Sequence, residues 1–225
     1  MEIYKRVFTS IVLILLTQFA FSQKVLNDGT ITYSISVESS DGKTELAKSL
    51  EGAVLHVYLK GTNSRTDMVS SLGSESSIFD SRTGKGYILK EYSGQKLMIT
   101  MDRNNWLQKN KVYQNATFSV ADQEFKTGAY NSKRATGKLA DGKSLTIIFT
   151  TDLITGNKQY NNAFTNLAGL PVEYEIMSGN LKFTYKLMSV SQEIVPASKF
   201  EIPKSGYRVM TYDENQQLKK GENRK

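Results

Sequence analysis

Thr30-Ile31-Thr32-Tyr33-Ser34-Ile35-Ser36-Val37 sets the fold class. Every second residue is apolar, and hydroxyl-bearing side chains fill the positions between. Successive side chains of a strand point to opposite faces, so a period of two specifies a half-buried β-strand. Working outward, the same pattern predicts strands at residues 53–60, 64–69, 77–80, 86–92, 95–101, 116–120, 124–129, 132–139, 144–151, 172–177 and 181–190. Short glycine-containing connections such as Ser93-Gly94, Asp141-Gly142 and Ser178-Gly179-Asn180 join several of them as hairpins. Asp41-Gly42 marks a further turn. Leu46, Ala47 and Leu50 have the spacing of a short helix over residues 44–51, and Asp102 is placed to cap another. Residues 157–170 are irregular and rich in Asn and Gly.

Many short strands and few helices predict a mainly β domain built on one antiparallel sheet. Several strands are apolar on both faces: Leu55 and Val57 against Val54 and Tyr58, Leu97 and Ile99 against Met98, Ile147 and Phe149 against Ile148. A sheet with one wet face shows polar residues there. Two-sided strands therefore predict a curled sheet covered by helices, loops or a ligand. The charged residues after Tyr212 read as a frayed, disordered tail, residues 213–225.

The first 22 residues read as a secretory signal. Lys5 and Arg6 precede the apolar run from Val7 to Leu16, and Ala20-Phe21-Ser22 offers small residues for cleavage. The run is shorter than the roughly 20 residues of a spanning helix. The expectation is an exported, single-domain protein of residues 23–212, periplasmic or extracellular, with no transmembrane segment in the mature chain. The 225 residues include no cysteine, which removes disulfides, thiol catalysis, thiolate metal sites and an N-terminal lipid anchor. The formal charge of +7 is spread among acids without a focused basic stripe, so nucleic acid is not an expected partner.

Chemistry-bearing constellations are sparse. The single histidine, His56, lies inside a strand and reads as structural. Glu173 and Glu175, two apart in a strand, share one face and form the best carboxylate pair. Such pairs more commonly belong to a solvated face. No nucleophile, metal or nucleotide motif is present, so neither catalysis nor a cofactor is expected. The remaining candidates are apolar: Tyr58, Met98, Met177 and Met188 in or beside strands, and Trp106, Phe164, Leu167 and Leu170 in irregular segments. Flexible thioethers suit a variable apolar ligand.

Three stretches carry a resemblance. These are Gly169-Leu170-Pro171-Val172-Glu173-Tyr174-Glu175-Ile176, Phe200-Glu201-Ile202-Pro203-Lys204-Ser205-Gly206-Tyr207, and Lys126-Thr127-Gly128-Ala129-Tyr130 through Lys133-Arg134-Ala135 to residues 146–152. Together they resemble an uncharacterised exported family of Gram-negative bacteria, related to the lipoprotein-carrier (LolA/LolB-like) superfamily. Ser132 departs from the cysteine frequent in that family. The resemblance implies a curved antiparallel half-barrel closed by helices, with a concave apolar surface for acyl chains. The expected function is a carrier for a hydrophobic or lipidated ligand or lipoprotein. The alternative is an envelope-associated interaction module with a filled core.

Overall fold

Ile31, Tyr33, Ile35 and Val37 are buried on one face of β2 (Asp28–Ser39), as the alternation predicts. The computed structural model of the chain describes residues 23–39 and 45–222. The expected signal segment and the Asp41-Gly42 turn lie outside the described residues. Around β2 the chain forms β1 (Lys24–Leu26), α1 (Glu45–Leu50), β3 (Val54–Lys60), β4 (Asn63–Ser70), β5 (Gly73–Asp80), β6 (Gly86–Tyr92) and β7 (Gln95–Met101). Then follow α2 (Arg103–Lys109), β8 (Thr117–Thr127), β9 (Tyr130–Lys138), β10 (Ser144–Thr150), β11 (Leu153–Thr155), β12 (Leu170–Ser178) and β13 (Leu181–Ser191). The chain closes with β14 (Arg208–Thr211) and α3 (Tyr212–Glu222).

Twelve strands form one sheet in the order β14-β7-β6-β5-β4-β3-β2-β13-β12-β10-β9-β8. Its two edge strands do not pair, so the sheet stays open. β1 and β11 form a separate parallel pair. Two details differ from the sequence reading. β14 joins β7 in parallel, so the sheet is mixed at that edge. Residues 116–120 and 124–129, expected as two strands, belong largely to the single β8, which shifts register against β9 between Val120 and Glu124. An extra residue in a bulge bends a strand without ending it.

The sheet is strongly curved. Val57 and Leu59 of β3 and Ala135 of β9 are five strands apart, about 24 Å along a flat sheet, yet they belong to one buried cluster. Pairing registers place Leu55, Val57, Met68, Phe79, Ile88, Ile99, Tyr185, Tyr174 and Ile147 on the same inner face as Ile31 and Tyr33.

Three covers pack on that inner face. Ala47 and Leu50 of α1 bury against Ile35, Val37 and Leu181. Trp106 of α2 buries with Phe79, Ile88, Ile99, Met101 and Met210. The irregular segment supplies Ala163, Phe164, Leu167 and Leu170 to a third cluster with Tyr33, Phe149 and Tyr174. Tyr33 completes that cluster by donating its hydroxyl to the Pro171 carbonyl at 2.9 Å.

The outer face is divided. Over β12, β13 and β2 it is solvated: Lys182 pairs with Glu38 at 2.8 Å and Glu175 at 3.4 Å, and Lys186 with Glu173 at 3.7 Å. Over β5–β7 a strap of residues 192–207 covers it, with Ile202 and Tyr207 packed on Ile78, Leu89 and Met98. The strap is tied at its start, where Asp28 accepts the Val195 N–H at 2.8 Å and Lys60 donates to both Asp28 and the Val195 carbonyl. This accounts for the two-sided pattern of β7, where a helix covers Ile99 and the strap covers Met98.

Residues 212–222 correct the expected disordered tail, since they form α3. Thr211 and Glu214 cap the helix reciprocally: the Glu214 carboxylate accepts the Thr211 N–H at 2.7 Å, and the Glu214 N–H donates to the Thr211 hydroxyl at 3.3 Å. Asp213 and Glu214 start the helix, Lys219 and Lys220 end it, and Tyr212 anchors it in the Trp106 cluster.

Candidate functional site

The three inner covers leave a stretch of the concave face between them. Its walls are the half-buried side chains of Leu55, Met68, Phe183, Tyr185, Ile176 and Tyr113. An aromatic chain leads into it from the core. Phe164 meets Tyr174 edge-on at 4.7 Å, and Tyr174 stacks on Tyr185 at 4.5 Å with the rings 8° from parallel. Burial pushes the Tyr185 hydroxyl up to about 12, with lesser contributions from Tyr113 and Glu75, so it stays a neutral donor.

Charge enters this surface at inward positions of two neighbouring strands. Glu75 of β5 and Lys90 of β6 pair at 2.9 Å, each side chain about a third exposed (32% and 29%). Lys109, at the end of α2, reaches solvent but is hemmed in by protein. Desolvation lowers its pKa, Glu75 opposes that, and Lys90 and Lys219 add to it. Desolvation also raises the Tyr92 pKa, with Glu75 adding to the shift. The stretch is therefore amphipathic, with aromatic and thioether walls beside an ion pair and one further lysine. Among the described residues no group of three His, Asp or Glu side chains could hold a metal. No helix there is long and apolar enough to cross a membrane.

The eight apolar residues singled out in the sequence do not converge. Phe164, Leu167 and Leu170 are core, at 4%, 1% and 0% exposure. Trp106 is a cover, stacked on Phe79 at 4.1 Å. Met98 points outward beneath the strap. Tyr58 also faces outward and carries the Lys199 ammonium 4.5 Å from its ring centroid. Met177 and Met188 lie exposed. Glu173 and Glu175 sit in the outer charge ladder described above. His56 accepts or donates a hydrogen bond with the Thr32 hydroxyl at 3.3 Å on the same outer face. Of the groups that the sequence reading missed, Glu75, Lys90 and Lys109, one carries a signal: Lys90 interrupts the inward apolar phase of β6 between Ile88 and Tyr92.

No family model and no curated protein matches the chain. Among solved structures it is similar to PNGF-II, at 10% identity and a TM-score of 0.48 over 85% of this chain and 33% of that one. The chain thus spans a third of the PNGF-II chain. An uncharacterized conserved protein from Thermus thermophilus is 9% identical, with a TM-score of 0.48 over 90% of this chain and 99% of that one. A LolA superfamily protein from Nitrosomonas europaea is 7% identical, with a TM-score of 0.37 over 81% and 94%.

Proposed function

We propose that this protein is an exported, non-catalytic carrier that holds a hydrophobic or lipidated ligand on the concave face of its sheet. The observation that supports the reading most is the half-buried state of Leu55, Met68, Phe183, Tyr185, Ile176 and Tyr113, which pack only in part against the α1 cluster and the Phe164 cluster. An acyl chain laid along it exchanges water for these side chains, at about 0.8 kcal/mol per buried methylene. Lys109 stands at its side as a cation for an acidic head group. Export rests on the leader of residues 1–22.

The test is titration of the mature protein with a fluorescent fatty-acyl probe, alongside native mass spectrometry of the purified chain. Saturable binding is expected, and Met68→Glu, which puts a charge among the walls, weakens it at least about tenfold through lost burial. Absence of any bound lipophile in both measurements refutes the carrier. The other reading is an envelope interaction module. It draws on the packing of Phe164, Leu167 and Leu170, which fills one end of the concave face, and it predicts no acyl binding.

A further inference from the structure

A second cleft, which shares only Tyr113 with the acyl walls, lies where α2 faces the irregular segment. It encloses about 480 Å³, within the usual size range of small-ligand sites. Phe79, Trp106, Leu107 and Tyr113 form its apolar part, and amides form most of the rest. We infer that this cleft is a binding site for a neutral saccharide.

The amides are held in place by the backbone. Asn110 donates to the Trp106 carbonyl at 2.9 Å, Gln114 to the Leu107 carbonyl at 3.1 Å, and Asn166 to the Ala116 carbonyl at 2.9 Å. Each of these bonds uses one of the two amide hydrogens and orients the side chain, leaving the second N–H and the amide oxygen to face a ligand. The matching donor is Trp106. Its ring is 6% exposed, and its indole N–H has no partner among the described residues, although the residue lines the cleft. A buried N–H without an acceptor is costly, and a ligand oxygen would relieve it. The Gln159 side chain, also on the wall, has no hydrogen-bond partner among the described residues.

Charge selects the ligand class. No acid, lysine or histidine lines the cleft. The one cation, Arg103, already donates to the Ser81 and Arg82 carbonyls at 3.4 and 3.0 Å. Oriented amide donors and acceptors, a buried indole N–H and the edge of an aromatic cluster fit a ring with hydroxyl edges and apolar C–H faces. A peptide would pair its backbone along a strand edge, but the walls here are a helix, loops and the interior strand β5.

The experiment uses the mature chain with glucose, N-acetylglucosamine, maltose and chitobiose as probes, and glucuronate and tetra-alanine as contrasts. Trp106, the single tryptophan, reports by fluorescence, and saturation-transfer NMR reports independently. Saturable binding of at least one neutral sugar is expected. Gln159→Ala and Trp106→Phe should each weaken it about tenfold, as loss of one ligand hydrogen bond implies, and Gln159→Ala should leave the unfolding midpoint unchanged. Any of three results overturns the inference: no neutral sugar binding in either readout, tetra-alanine binding where the sugars do not, or unchanged sugar affinity in both variants.

Discussion

Replacing Trp106 tests how the inner covers hold the sheet. The ring is 94% buried and lies parallel to Phe79, with centroids 4.1 Å apart and planes 7° from parallel. An aromatic side chain of this size removes roughly 230 Å² from water, worth at most about 6 kcal/mol at 25 cal/mol per Å². Residual burial in the unfolded chain lowers this to about 4 kcal/mol, inside the range of roughly 3–5 kcal/mol for Trp→Ala in cores. Trp106→Ala should therefore lower the urea midpoint by about 1.5–2 M, taking a slope of about 2–2.5 kcal/mol per M. Far-UV circular dichroism is the readout, because the variant has no tryptophan. Trp106→Phe keeps the stack and removes an N–H that has no protein acceptor, so it should cost only about 1–2 kcal/mol. If Trp106→Ala costs under about 1 kcal/mol, α2 is not a structural cover. If the Phe variant is as damaged as the Ala variant, the indole N–H has a protein acceptor and its place on the cleft wall is misread.

Other outcomes follow from the same contacts. Accepting the Val195 N–H lowers the Asp28 pKa, burial opposes this, and Lys60 adds to the lowering. A depressed carboxyl contributes stability above its unfolded pKa of about 3.9 and loses it as pH falls through the folded value. Wild type and Asp28→Asn should thus differ in melting temperature at neutral pH, and the difference should shrink as pH falls through the lowered folded value. Gly169→Ala would drive a Cβ into the Thr150 carbonyl oxygen, so the β10–β12 pairing must shift there. A loss of about 3 kcal/mol is expected in chemical denaturation, the upper end of overpacking costs. Glu173→Gln and Glu175→Gln remove only exposed ion pairs of the outer ladder. Each should change stability by about 0.5 kcal/mol or less and leave acyl-probe binding as it was.

Much of the scaffold was legible because its signals are local. The bounds of β6 and β7 coincide with the sequence reading, since Ser93-Gly94 fixes the hairpin and alternation fixes the strands. Asp102 caps α2 as anticipated, in a reciprocal box with Asn105. The cap of α3 was equally local: Thr211 followed three residues later by Glu214 is a helix-start pattern, masked by the polar composition around it. Composition misleads there because α3 needs only Tyr212 on its buried side.

What the sequence settles by itself is the alternation of each strand, the hairpins that join neighbours, and the need for cover on two faces. Those follow from the pleat and from turn geometry within a few residues. Only the tertiary structure decides which apolar face becomes the inside. Met98 and Ile99 are adjacent and both buried, yet one lies under the strap and the other under Trp106. The same holds for Phe164, Leu167 and Leu170, which fill the concave face, and for Glu75 and Lys90, which open it. Curvature gathers residues of β3 and β9 into one buried cluster across the strands between them, and no pattern confined to one strand records a distance that the whole sheet must bend to create.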